Sequence, residues 1–141
     1  MKFDLDDVFN SFLHMTFRQK VNRARKSIAE MSDFLIANDI GDEDRISFYL
    51  NLARLFIGAD GKVSLAECEL FNELFYLHLT YPDFSKLMTG NDKEFISVMD
   101  QAIDLMDKKA KVAACEFGLA FLSVDQELSE KEKAVFEKIL Q

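Results

Sequence analysis

Apolar residues recur at helical spacing along nearly the whole chain, and this periodicity restricts its fold more than any other feature. Only one proline and five glycines interrupt the 141 residues, so little in the sequence breaks a long helix. No segment alternates apolar and polar residues over more than a few positions, as a half-buried strand would. The sequence therefore predicts an all-α, single-domain bundle of six to eight helices joined by short loops.

The apolar stripes and the breakers between them place the helices along the chain. The predicted segments are 4–14, 17–37 (as one bent helix or two), 42–59, 64–79, 92–106, 109–124 and 129–140. Gly41 is suited to a left-handed C-cap, and Asp42 can then cap the next helix. Pro82 predicts a helix end, followed over 82–91 by a linker or a single turn.

The charge balance excludes some classes of partner. The chain has 25 acidic and 17 basic residues, a formal net charge of −8, which is the opposite of a nucleic-acid-binding footprint. The start of the chain is too acidic for a secretory leader, and no apolar run has the length of a membrane span. With only two cysteines, these features lead us to expect a reducing, cytoplasmic setting.

Two segments of the chain resemble each other when the sequence is shifted by 65 residues. Residues 53–75 and 118–140 share five identities, whereas ordinary composition gives roughly one or two by chance. The identical pairs are Phe56/Phe121, Asp60/Asp125, Ser64/Ser129, Glu67/Glu132 and Phe71/Phe136. This pattern predicts two pseudo-symmetric helix-turn-helix repeats, one over about 42–80 and one over about 107–140, after an N-terminal helical extension over 1–40.

Local folding explains most of the shared motif, but it does not explain its aspartates. Each serine and the glutamate three residues later have the spacing of a capping box, and each phenylalanine has the spacing of a core residue. Asp60 precedes a glycine, which is an ordinary turn pair, whereas Asp125 precedes Gln126. The aspartate is therefore present without the glycine, which indicates that its carboxylate has a use of its own.

The repeated acids are candidate ligands for a hard divalent cation. Asp60, Glu67, Asp125 and Glu132 would offer the oxygen ligands that Ca²⁺, Mg²⁺ and Mn²⁺ prefer. Neither segment is a self-contained EF-hand, because the first two ligand positions of the loop carry no carboxylate in either copy. A metal site would therefore have to pool acids from different segments of the chain.

The element that carries these acids resembles the TerB-like family, which is associated with tellurite resistance. The first copy, ADGKVSLAE over 59–67, is a close match to the family's Ala-Asp-Gly-x-[Ile/Val]-Ser-x-x-Glu element. The second copy, VDQELSEKE over 124–132, is looser and lacks the glycine. The resemblance covers about 42–140, and the first 40 residues differ from the lysine-rich start of tellurite-resistance members.

The resemblance implies an all-helical domain of two pseudo-symmetric halves, in which acidic residues have been proposed to bind metal. It also implies a role in bacterial stress response or in envelope-associated complexes. We therefore expect a non-enzymatic module that acts as a scaffold for a protein partner, with a divalent cation held by Asp60, Glu67, Asp125 and Glu132. The first alternative is a metal-free interaction domain in which these acids only cap helices, and a distant alternative is a metal-dependent hydrolase.

Several other features have both a functional and a structural interpretation. The basic run over 18–26 could dock on an acidic partner or touch anionic lipid, but a solvated helix face that complements acidic neighbours is favoured. Phe84, beside Pro82, is a candidate for an exposed docking patch. No catalytic residues are assigned, because the histidines and cysteines lack ligand spacing and no nucleophile motif is present. The sequence leaves open whether the chain forms a homodimer.

Overall fold

The computed structural model describes residues 3–141, which form eight α-helices and one 3-10 turn. The helices are α1 (Leu5–Leu13), α2 (Phe17–Ala37), α3 (Asp42–Ile57), α4 (Leu65–Phe75), α5 (Tyr81–Met88), α6 (Lys93–Asp104), α7 (Lys108–Val124) and α8 (Glu130–Leu140). The 3-10 turn, Gly58–Asp60, follows α3 directly. The all-α prediction is confirmed, and α2 is one continuous helix. No helix among the described residues has both the length and the apolar character needed to cross a membrane.

Helix α7 lies at the centre of the fold and contacts α1, α2, α3, α4 and α8. Its residues are apolar or small on nearly every side, and a helix of that kind is stable only when neighbours cover it all round. Gly118 shows how closely they pack, because a Cβ at this position would lie 2.7 Å from the ring of Phe56. The N-terminal helix α1 packs on α7 and buries Phe9 and Phe12.

The connection between α2 and α3 differs from the prediction. The left-handed residue is Asp39 (φ 61°), whereas Gly41 has φ −73° and is the N-cap of α3, with Asp42 as the first helical residue. Asp is one of the few residue types that tolerate the left-handed region, so the chain can turn two residues before the glycine.

The segment after α4 also differs from the prediction. Helix α4 ends at Phe75 rather than near residue 79, and Tyr76 is its left-handed C-cap. Pro82 does not end a helix but lies in the first turn of α5, where its missing N–H has no helical partner to lose. The prediction that Phe84 belongs to an exposed docking patch is wrong as well. Phe84 is fully buried, and its ring centre lies 5.2 Å from that of Phe71.

Candidate functional site

The candidate site lies where two helical hairpins meet. The first hairpin consists of α3, the turn after it and α4, and the second consists of α7, its turn and α8. In the first turn Gly61 has φ 75°, and in the second Gln126 takes the same left-handed position with φ 61°. The two turns therefore share a conformation although only one of them has the glycine that favours it.

Both predicted capping boxes are present, and they fix the two glutamates. The Oε1 atom of Glu67 accepts from the Ser64 backbone N–H at 2.8 Å, and Ser64 Oγ accepts from the Glu67 N–H at 3.1 Å. In the second hairpin the Ser129 N–H donates to Glu132 Oε1 at 2.8 Å, and the Glu132 N–H donates to Ser129 Oγ at 3.2 Å. These bonds engage only Oε1 of each carboxylate, so Oε2 is left for another partner.

The two aspartates lie half-buried at the turns, with different local roles. The Oδ1 atom of Asp60 accepts from the Lys62 backbone N–H at 3.0 Å, which closes the turn. Asp125 is the C-cap of α7, and none of residues 3–141 donates a hydrogen bond to its carboxylate. Turn formation thus accounts for Asp60 but leaves Asp125 unexplained.

Aromatic rings of the two hairpins pack crosswise and hold the turns together. The Phe56 ring of the first hairpin lies 4.6 Å, centre to centre, from the Phe136 ring of the second. The Phe121 ring of the second lies 6.3 Å from the Phe71 ring of the first. The turn Gly58–Asp60 also contacts α8. This packing brings the capping glutamates of both hairpins into one buried region.

The pKa values of the two buried glutamates are raised by burial and by the charges of nearby acids. Burial raises the pKa of Glu67 to about 8, opposed by the hydrogen bonds from Ser64 and increased by the charges of Asp125 and Glu132. Burial likewise raises the pKa of Glu132, and Asp60 and Asp125 add to the increase. Glu67 and Glu132 are only 1% and 5% exposed, so water screens this repulsion poorly. The charge of Asp125 thus acts on both buried glutamates, and the charge of Asp60 acts on Glu132.

The arrangement supplies suitable donor atoms for a hard cation but not a formed coordination sphere. Carboxylate oxygens are the ligands that Ca²⁺, Mg²⁺ and Mn²⁺ select. Within residues 3–141, however, no three His, Cys, Asp or Glu side chains are grouped so that they could hold a metal ion. A cation would therefore have to draw these side chains closer together than they lie here.

Several basic residues of the run over 18–26 bind acidic side chains or backbone carbonyls of the same chain. Arg18 lies 3.2 Å from a Glu73 carboxylate oxygen, and Arg23 Nε donates to Glu116 Oε2 at 2.8 Å. Lys20 is buried, and its Nζ donates to the Ser123 carbonyl at 3.2 Å, near the second turn. Burial of this lysine is not predicted from the sequence, although Lys20 lies on the apolar face of α2, four residues before the buried Ala24.

The cysteines and His14 are not among the groups that shift the pKa values of the two glutamates. Cys68 and Cys115 are buried, and burial raises the pKa of both thiols. His14 is exposed, and its Nδ1 lies 2.8 Å from the Asn10 carbonyl oxygen. Comparison of this chain with protein-family models, with curated proteins and with solved structures found no match.

Proposed function

We propose that this chain is a non-enzymatic, TerB-like helical module that works through protein contacts in a bacterial stress response or envelope process. The observation that carries the proposal is the crossed pairing of the motif phenylalanines, Phe56 with Phe136 and Phe71 with Phe121. If two copies of one hairpin are related by a two-fold axis, a contact from one position of the first copy to another position of the second is repeated with the two positions exchanged. The crossed pairs follow this rule, which supports the repeat and the family resemblance built on it.

The pooled acids support a divalent cation as part of this function. Two buried carboxylates that repel each other, with two half-buried aspartates beside them, form a region in which positive charge is favourable. Oxygen donors alone make Ca²⁺, Mg²⁺ and Mn²⁺ the candidates. In this proposal the cation replaces the proton on the buried pair and stabilises the contact between the hairpins.

A metal-free interaction domain is the second candidate, and two observations favour it. Both glutamates already serve in capping boxes, and no ready-made trio of ligands is found in residues 3–141. In that case the acids stabilise helix starts and turns, and the protein contacts alone are the function.

Titration calorimetry with each of the three cations separates the two candidates. Cation binding predicts heat of binding and a rise in Tm, both lost in the Asp60→Asn/Asp125→Asn double variant. The Asp44→Asn variant, which changes an exposed acid in the first turn of α3, is the matched control and should keep both. Absence of heat and of any Tm change at millimolar cation would remove the metal from the proposal.

The interaction itself is tested by co-purification with the tagged full chain from a bacterial lysate. A partner that is retained reproducibly, and that remains after nuclease treatment, supports a protein-binding module. Recovery of the chain alone under mild crosslinking would contradict it.

A further inference from the structure

A groove of about 450 Å³ lies between the start of α2 and the end of α4. Three of the large apolar side chains that line it are exposed to solvent: Phe17, Tyr76 and Leu77. Exposed apolar residues scattered singly are normal, but several that share one concave surface are typical of a protein-binding site. We call this surface, with Glu69 and Glu73 at its edge, the Tyr76 groove.

The backbone conformation at Tyr76 presents its ring to this groove at an energetic cost. The residue has φ 55°, a left-handed conformation that favours glycine or asparagine and is strained for a bulky side chain. Its side chain is nevertheless 80% exposed, so burial in the core does not offset the strain. The Arg25 guanidinium lies over the ring, 5.5 Å from its centre, and Arg25 Nη2 donates to the Glu73 carbonyl at 3.3 Å. The ring is therefore held in place while most of its surface stays free.

One carboxylate of the groove, that of Glu69, is left to bind a basic partner. The lining includes Glu69 and Glu73, and the Arg25 guanidinium lies over the Tyr76 ring at its edge. Arg18 pairs with Glu73 at 3.2 Å, whereas Glu69 is exposed and has no ion-pair partner within residues 3–141. The net charge of −8 would also steer a basic segment toward the chain.

We propose that the Tyr76 groove is the docking site for a partner protein segment that combines an apolar side chain with an arginine or lysine. The apolar side chain packs against Phe17, Leu77 and the free surface of the Tyr76 ring, and the basic group pairs with the Glu69 carboxylate. This inference rests on the proposed function, because it gives the protein contact of that module a location and a chemistry.

Selection of random peptides displayed on phage, with the full chain as bait, tests the proposal without knowledge of the partner. We expect the enriched peptides to contain arginine or lysine beside aliphatic or aromatic residues. Synthetic copies of those peptides are then titrated against variants of the groove and against matched variants outside it. Tyr76→Asn removes the ring but suits the left-handed backbone, so the variant should fold. Glu69→Lys reverses the unpaired charge, and Leu105→Ser and Glu127→Lys are the controls on other exposed surfaces.

Binding should weaken about tenfold or more in Tyr76→Asn and in Glu69→Lys, as for anchor residues of an interface, and should persist in both controls. Peptides that bind all four variants equally, or an enriched set that is acidic, would refute the Tyr76 groove as the docking site, while the proposal of an interaction module would stand. If no peptide is enriched, the groove assignment is refuted, and the co-purification experiment decides the interaction module separately. Dimerisation of the wild-type chain that Tyr76→Asn abolishes, seen by sedimentation, would show that a second copy fills the groove and would also overturn the proposal.

Discussion

Replacing Glu67 by glutamine should change how the stability of this protein depends on pH. In the unfolded chain the carboxyl loses its proton near its ordinary pKa of 4.5, whereas in the folded protein it keeps the proton up to about pH 8. Between these values the folded state binds more protons than the unfolded state, so the free energy of unfolding falls as the pH rises. At about 1.4 kcal/mol per pH unit, the loss is about 5 kcal/mol over this range.

The Glu67→Gln variant removes this loss without removing the cap. A glutamine at this position can accept the Ser64 N–H in the same way, because capping boxes take either residue. Its amide does not titrate, so the difference in unfolding free energy between variant and wild type should shift in favour of the variant by about 3–5 kcal/mol from about pH 5 to about pH 8.5. Urea unfolding at several pH values with a chelator present measures this difference.

Glu127→Gln is the matched control, because Glu127 is an exposed acid in the second turn, and its curve should run parallel to that of the wild type. If the Glu67→Gln curve also runs parallel to the wild type, then Glu67 is not a buried carboxyl that repels its neighbours. The action of the neighbouring acids on Glu67 would then be refuted.

Three further substitutions, the first with a matched control, test the turns and the packing that hold the site, each by urea unfolding. Gln126→Gly should raise the free energy of unfolding by about 0.5–1 kcal/mol by relieving the left-handed backbone, whereas the control Gln101→Gly, at an exposed position of helix α6, should lower it by about 1 kcal/mol. Gly118→Ala should cost about 1–3 kcal/mol because its Cβ would meet the Phe56 ring, and a neutral result would refute the close approach of α7 and α3. Ser129→Ala should cost about 1 kcal/mol by removing the cap of α8, and an unchanged stability would refute the second capping box.

Features set by neighbouring residues could be predicted from the sequence. The helical class follows from the spacing of apolar residues, and both capping boxes follow from a serine and a glutamate three residues apart. Both predictions are confirmed. They could be made because each feature depends on residues within one or two turns of the chain.

Features that depend on tertiary packing could not be predicted. The position of Phe84 after Pro82 predicts an exposed residue in a linker, but α5 extends through that segment and turns Phe84 onto Phe71. The basic residues of α2 could be assigned to an ion pair or to a burial site only once α7 and α4 were in place beside them. The repeated motif predicts that the four acids belong to one site, but their mutual distances depend on the crossed packing of two hairpins 65 residues apart.

The most direct measurement is the titration of the Glu67 side-chain carboxyl carbon by NMR, in the wild type and in Asp125→Asn. If the two hairpins bring their acids together, Glu67 titrates near pH 8, and its pKa falls when the negative charge of Asp125 is removed. A Glu67 carboxyl that titrates at its ordinary pKa of 4.5, and does not respond to Asp125→Asn, would contradict the account.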